Sequence, residues 1–204
     1  TWWTDALSDA CFLDSMNIFA VGMDGKILKS NDLGNNWESV NSTTTKYLFA
    51  IKNVNGNLYI TGESGLVLFS NDYGNIWQSQ TRVTTAHLFG IHFTSSNDGY
   101  IVGGRSDAPG GNNAILKTKD AGVTWQKQTH SSNFIMNDVF FVNDSTGWIV
   151  GNSGLILKTT NGGVTFIEDI NNLTQPKDFL LEQNYPNPFN PSTRISWQSS
   201  VDGW

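Results

Sequence analysis

A nine-residue cassette recurs four times in this chain, and that recurrence limits what the chain can fold into. The first copy reads Lys29-Ser30-Asn31-Asp32-Leu33-Gly34-Asn35-Asn36-Trp37; the others are Phe69 to Trp77, Lys117 to Trp125 and, in weaker form, Lys158 to Phe166. The copies begin at 29, 69, 117 and 158, so the intervals are 40, 48 and 41 residues. A period of this length marks stacked supersecondary units, each burying its apolar faces against its neighbours, and not one irregular core.

One unit, Lys46 to Arg82, predicts the internal structure of the rest. Leu48 to Val54 is an apolar-rich strand, Asn55-Gly56-Asn57 a turn and Leu58 to Thr61 a second strand. After the turn Gly62-Glu63-Ser64-Gly65 come a third strand, Leu66 to Ser70, the turn Asn71 to Gly74, and a fourth strand, Ile76 to Arg82. Four antiparallel strands in about 40 residues make one β-propeller blade. The expected architecture is all-β. Residues 1–4 end a preceding blade, four whole blades follow at about 5–41, 42–83, 84–131 and 132–170, a linker spans 171–178, and a short extended tail fills 179–204. Because Thr1-Trp2 repeats Thr124-Trp125, the end of a cassette, the four blades are expected to belong to a larger ring.

Other landmarks keep the same spacing. A glycine stands eight residues before the cassette Ser or Thr at Gly22, Gly62 and Gly151, whereas Gly103 lies 15 before Thr118, with seven extra residues inside Gly104 to Asn113. Three positions before each glycine is an aromatic: Phe19, Tyr59, Tyr100 and Trp148. These rings could stack on a ligand, but one mid-strand ring in every unit is better explained as a layer packed between blades.

The cassette resembles the Asp-box of bacterial neuraminidase-type repeats, Ser/Thr-x-Asp-x-Gly-x-x-Trp. Ser30, Asp32, Gly34 and Trp37 match it, as do Ser70, Asp72, Gly74 and Trp77, and Thr118, Asp120, Gly122 and Trp125; the fourth copy departs from it with Thr159, Asn161, Gly163 and Phe166. An Asp accepts nearby backbone amides, a Gly permits positive φ, and a Trp covers the hairpin, so the box reads as a turn device and not as a catalytic or calcium site. The wider run Val-Gly-x-x-Gly-x-Ile-Leu-Lys-Ser/Thr, closest over Asp138 to Phe166, resembles the propeller repeats of the photosystem II assembly/stability factor family across about residues 5–170. That resemblance implies the propeller fold and, as one functional option, assembly of a membrane complex.

The tail carries a second resemblance. From Phe179 the chain runs Leu180-Leu181-Glu182-Gln183-Asn184-Tyr185-Pro186-Asn187-Pro188-Phe189-Asn190-Pro191 and on to Ile195, closely similar to the opening of the C-terminal sorting domain of type IX (Por) secretion substrates. The resemblance implies export by the type IX machinery to the medium or outer surface of a Gram-negative cell. The family's domain continues through further strands, so the chain ending at Trp204 is not expected to be export-competent as written.

Composition excludes several classes. Twelve basic against 18 acidic residues, with no basic cluster, argue against a nucleic-acid partner. No apolar run reaches the roughly 18 residues of a membrane span. The single Cys11 has no disulfide partner, no Cys/His spacing fits zinc, and no phosphate loop is present, so neither metal nor cofactor is expected. His87, His92 and His130 have no nucleophile at useful spacing, and Cys11 is expected to be a buried apolar residue.

Successive hairpin turns fall on opposite faces of a blade. The cassettes therefore share one face, and Asp24, Glu63, Arg105 and Asp107 lie in turns of the other, where they are candidate contacts for a glycan or a protein loop. The favoured reading is a non-catalytic recognition module. A sialidase would need an arginine triad, and the three arginines are Arg82, Arg105 and Arg194, the last in the tail. A glycosidase needs two carboxylates, for which Asp24, Glu63 and Asp107 are available without a spacing that singles out a pair.

Overall fold

The computed structural model describes residues 6–105, 112–130 and 132–163, together with the backbone of the strands Glu168–Asp169, Phe179–Leu181 and Trp197–Ser199. The chain is an all-β propeller of four antiparallel four-stranded sheets. Blade 1 consists of β1 (Leu7–Phe12), β2 (Ile18–Gly22), β3 (Ile27–Ser30) and β4 (Glu38–Val40). Blade 2 holds β5 (Leu48–Val54), β6 (Asn57–Gly62), β7 (Val67–Ser70) and β8 (Gln78–Ser79). In blade 3 these are β9 (His87–Phe93), β10 (Gly99–Gly104), β11 (Ala114–Thr118) and β12 (Gln126–Lys127); in blade 4, β13 (Met136–Phe141), β14 (Gly147–Gly151), β15 (Ile156–Thr159) and β16 (Glu168–Asp169). The blades belong to one unit, Thr1–Ile170; Asn171–Trp204 is a second, in which β17 (Phe179–Leu181) pairs antiparallel with β18 (Trp197–Ser199). The sorting-like residues Asn184, Tyr185, Pro186, Asn187, Pro188, Phe189, Asn190 and Pro191 lie outside the described residues, as do Asp107 and Phe166.

The fourth strand is shorter than the run Ile76 to Arg82 predicts. Gln78 and Ser79 pair with β7 and are both exposed, and the Gln80 N–H adds one more bond, to the Val67 carbonyl at 2.9 Å. Trp77, just before them, is buried and packs into the interface with blade 1. A short outer edge also offers little backbone for unwanted strand pairing.

Each interface between neighbouring blades joins two unlike faces. Phe19, Val21 and Ile27 of blade 1 pack on Leu48, Ile51, Leu58, Leu68 and Trp77 of blade 2. Ala50, Tyr59 and Val67 of blade 2 pack in the same way on Leu88, Ile91, Leu116 and Trp125 of blade 3, and Tyr100, Val102 and Ile115 of blade 3 on Met136, Val139, Ile149 and Leu157 of blade 4. At the two ends these faces stay open. Val150 and Ile156 of blade 4 are 45% and 39% exposed where Val21 and Ile27 are fully buried, and Trp37 of blade 1 is 43% exposed where Trp77 is 3%.

The Asp-box has the same geometry in every blade. The Ser or Thr hydroxyl donates to the acidic side chain (Ser70 Oγ to Asp72 Oδ1, 2.7 Å) and accepts the glycine N–H (Gly74, 2.9 Å), while Asp72 Oδ1 also takes the Ile76 N–H at 3.0 Å. The bonds recur at Ser30, Asp32 and Gly34 and at Thr118, Asp120 and Gly122. In the fourth copy Asn161 Oδ1 accepts from Thr159 at 2.9 Å, so the device needs an acceptor and not a charge. The residue before the box glycine is left-handed too: Leu33, Tyr73 and Ala121 have φ of 59°, 61° and 55°, and Gly162 fills that place in blade 4.

The recurring mid-strand aromatic explains the box glycine. A Cβ on Gly74 would lie 2.3 Å from Phe19 Cζ, and one on Gly122 2.7 Å from Tyr59 Cε1, so each glycine lies against the ring of the preceding blade. Where the ring is tyrosine, its hydroxyl also donates across the interface: Tyr59 to the Ala121 carbonyl (2.7 Å) and Tyr100 to the Gly162 carbonyl (2.6 Å). The first cassette residue covers the ring from within its own sheet, as Lys29 does over Phe19 and Lys117 over Tyr100. Phe19, Tyr59 and Tyr100 are buried, so these three rings are packing elements.

Two expectations follow for stability. Gly74→Ala combines positive φ with a clash against a buried ring and should cost about 2–4 kcal/mol in urea denaturation. Gly34→Ala, whose new Cβ would meet nothing closer than 3.5 Å, carries only the left-handed strain, about 1 kcal/mol. Equal costs would contradict the glycine–ring contact. Second, Asp72 is held below the ordinary carboxylate range by the Ile76 N–H and then the Ser70 hydroxyl, and Asp32 and Asp120 are lowered by comparable bonds from Asn36 and Thr124. A depressed folded pKa contributes stability above the unfolded value of about 4 and loses it as pH falls through the folded values. Stability should fall on acidification below about pH 4, and Asp72→Asn should flatten that fall.

Candidate functional site

The inner strands β1, β5, β9 and β13 each pair on one edge only; the other edge lines a channel. In all four, the register with the second strand shifts near the start, at Leu7/Asp9, Leu48/Ala50, opposite Val102/Gly103, and at Met136/Asp138. A bulge of this kind leaves one residue without a ladder partner and re-aims its side chain. The extra residues are Ser8, Phe49, Phe89 and Asn137, and all four line a cavity of about 510 Å3.

Blades 2 and 3 contribute an aromatic cluster to that cavity and its rim. Phe49 lies 4.6 Å from Tyr47 and 4.8 Å from Phe89, centroid to centroid, and His87 packs edge-on to Phe49 at 6.0 Å. All four rings are half-buried. The Ser64 N–H donates to His87 Nδ1 at 3.2 Å, which fixes the ring against the neighbouring turn and leaves Nε2 as the protonated nitrogen of the neutral form. Blades 1 and 4 contribute Ser8, Asp9, Asn137 and Asp138 to the lining, together with Ala10, Cys11, Val139 and Phe140.

The channel carboxylates are structurally committed in different ways. Asp9 takes the Ala10 N–H on Oδ1 and, across the blade interface, the Ile51 N–H on Oδ2, both at 2.8 Å. It therefore satisfies an inner-edge amide that the channel leaves without a strand partner. Asp138 stands at the same register and takes the Val139 N–H at 2.8 Å. Its Cα and Oδ1 lie where a Cβ on Gly90 would be, 2.8 Å from each, so glycine lets β9 and β13 approach. Further along the channel, burial and then Lys52 push His92 below its ordinary value, which favours the neutral form of a ring that contacts both Phe140 and Phe141. Burial, with Asp9 adding to it, pushes the Cys11 thiol up to about 12, which keeps it protonated and unreactive.

Asp24 and Glu63 occupy equivalent 3-10 turns of blades 1 and 2 on the channel-mouth face, Asp24 exposed and Glu63 half-buried. Glu63 is tied to the aromatic cluster through its N–H, which donates to the Tyr47 carbonyl at 2.9 Å. Arg105 follows β10, and its carbonyl accepts the Asn112 N–H at 3.3 Å to close the base of the blade 3 insertion. Sequence reasoning missed Phe49 and Phe89, although the signal was present: two aromatics 40 residues apart at one repeat position. Among the described residues no three His, Cys, Asp or Glu side chains form a metal-binding group, and no helix is long and apolar enough to cross a membrane.

Comparison with known families bears on this arrangement. Residues 75–176, half of the chain, match the family Photosynthesis system II assembly factor YCF48. The chain belongs to that family. No curated protein sequence matches it significantly. A solved structure of YCF48 bound to D1 peptide is 20% identical, with a TM-score of 0.65 over 87% of this chain and 59% of that one. The GH74 enzyme of Niastella koreensis is 21% identical with a TM-score of 0.64, covering 80% of this chain and 30% of its own. A computationally designed protein, Ika4, is 11% identical with a TM-score of 0.60, covering 78% and 92%. At such identities the structural likenesses establish the propeller fold alone. The chain spans about three-fifths of the peptide-bound YCF48 chain and less than a third of the enzyme.

The interblade bond of Asp9 is directly testable in this YCF48-family chain. Asp9→Ala should cost about 1–2 kcal/mol, because the Ile51 N–H loses its acceptor, and should accelerate hydrogen exchange at the Ile51 amide. Asp9→Asn keeps an acceptor and should retain most of the protection.

Proposed function

We propose that the chain is a non-catalytic recognition module that holds an extended segment of a partner protein at the channel mouth, with an apolar or aromatic side chain of that segment seated on Phe49 and Phe89. The observation that carries this reading is the pair of bulge aromatics, half-buried and braced by Tyr47 and His87, beside a polar rim. Aromatic anchors surrounded by polar groups are the usual energetic centre of a protein interface. Membership of the YCF48 family supports a protein ligand, since one member has been solved with a peptide bound.

The tail that resembles a type IX sorting domain makes the outer surface or surroundings of a Gram-negative cell the proposed location, with the type IX machinery as the export partner. Mass-spectrometric mapping of medium, outer membrane and cytosol checks it: a purely cytosolic product would end the export reading.

The alternative is a polysaccharide hydrolase of the kind represented among the structural neighbours. A glycosidase requires one carboxyl group to act as acid and another as base or nucleophile. Asp9, with both oxygens on backbone N–H groups, is poorly placed for either role. That commitment is why binding is preferred.

The test is selection of peptides from a display library, followed by fluorescence polarisation on the best binder. Phe49→Ala with Phe89→Ala should weaken binding by at least about tenfold, or 1.4 kcal/mol, with circular dichroism unchanged. Unaltered affinity in the double variant, or release of reducing sugar from xyloglucan by the parent protein, would overturn the proposal.

A further inference from the structure

The blade interfaces follow one rule: the mid-strand ring of one blade meets the box glycine of the next. Phe19 meets Gly74, Tyr59 meets Gly122 and Tyr100 meets Gly163. One glycine and one ring of the series are left over. A Cβ on Gly34 of blade 1 would meet first Trp37 and Ile18 of its own blade. Trp148 of blade 4 is half-buried, whereas Phe19, Tyr59 and Tyr100 are buried.

The surroundings of these two residues match as well. On blade 4, Phe140, Trp148, Val150 and Ile156 stand at the register positions of Cys11, Phe19, Val21 and Ile27, which form the side of blade 1 that packs on blade 2. Phe140, Val150 and Ile156 are exposed. On blade 1, Leu7, Ile18, Leu28 and Trp37 stand where blade 2 has Leu48, Leu58, Leu68 and Trp77. Leu7 and Trp37 are exposed, and Ile18 and Leu28 half-buried. The turn glycines agree with this pattern. A Cβ on Gly25 or Gly65 would fall 1.9 Å from the Thr44 carbonyl oxygen or 2.0 Å from that of Thr84, in the connector to the next blade, but one on Gly154 would meet nothing within 4 Å among the described residues. Repeat arrays that end in solvent carry a polar outer face on their terminal units. Both outer faces here are apolar, and contiguous exposed apolar surface of this kind marks an interaction site.

We infer that the two open faces are the two halves of one interface and that their occupant is a second copy of this chain, blade 4 of each copy packing on blade 1 of the other with Trp148 seated against Gly34. A face that continues an established interface selects a surface carrying the other half of it, and this chain carries both halves. Such a contact is heterologous, so it either closes a ring or propagates into a filament. Two sets of four blades make eight, at the upper end of the range of about four to eight in which propellers close; three sets would exceed it. The contact therefore occurs twice in a two-copy ring and leaves neither face open. Closure also surrounds the channel, which then carries a Phe49 and Phe89 pair from each copy. Neither face includes Tyr47, Phe49, His87 or Phe89, so self-association and peptide binding can fail separately.

The test is sedimentation velocity of the whole 204-residue chain over a concentration series. The expected result is a reversible equilibrium between one copy and two, with no larger species. Val150→Glu with Ile156→Lys puts opposite charges at two exposed positions paired across β14 and β15, which keeps the net charge and suits the sheet. Leu7→Glu puts one charge on the exposed face of blade 1. Each variant should weaken association by at least about tenfold with circular dichroism unchanged, and the second gives an independent reading if the first misfolds. An equal mixture of the two variants should associate more tightly than either alone, because a mixed pair keeps one interface intact. A single copy at every concentration, a ladder of larger species, undiminished association of Leu7→Glu, or a mixture no tighter than its components would overturn the proposal.

Discussion

The contact between a mid-strand aromatic and the next blade's box glycine organises the molecule. Phe19 against Gly74 and Tyr59 against Gly122 bring the turn of one blade onto the ring of another at distances that no side chain would permit. The left-handed turn, the hydroxyl that accepts the glycine N–H and the buried tryptophan beside it all serve to present that glycine. Because a ring is large and rigid and a glycine leaves no play, the contact sets blade spacing as well as stability. Tyr59 and Tyr100 reinforce it with a hydroxyl bond to the box backbone, which keeps the turn carbonyl satisfied inside the interface.

The functional surface follows from the same stacking. Blades held side by side leave four inner strand edges facing a channel, and an unpaired edge has amides to satisfy. Asp9 does so for Ile51, and its counterpart Asp138 caps its own strand. The bulge at the same place in each inner strand turns one side chain into the cavity without disturbing the apolar layers behind it. Variation at those bulge positions changes the surface while the scaffold stays constant: Ser8 and Asn137 make one part polar, and Phe49 and Phe89 make the other aromatic.

The repeat made the fold legible because each landmark acts locally. The cassette closes its turn through bonds that span two to four residues, so Ser30, Asp32 and Gly34 announce the device on their own. The blade count, the strand order and the inward role of Phe19, Tyr59 and Tyr100 follow from spacing. The site was less legible. Phe49 and Phe89 sit in apolar-rich strands where alternation alone would assign them to packing; a one-residue bulge decides that they face the cavity. Asn113 reads as the end of an insertion, and only strand register aligns it with Gly25, Gly65 and Gly154.

By itself, then, the sequence determined the all-β class, the four-stranded unit, its period and the turn chemistry that joins its hairpins, because these rest on hydrogen bonds and alternation within a few dozen residues. Only the tertiary structure decided which glycines are demanded by a neighbour's ring, which carboxylate serves another blade's amide, and which side chains converge at the channel. Those contacts join residues roughly 20 to 60 positions apart. Their geometry depends on how blades stack and where a ladder slips by one residue, and neither is encoded in any single repeat.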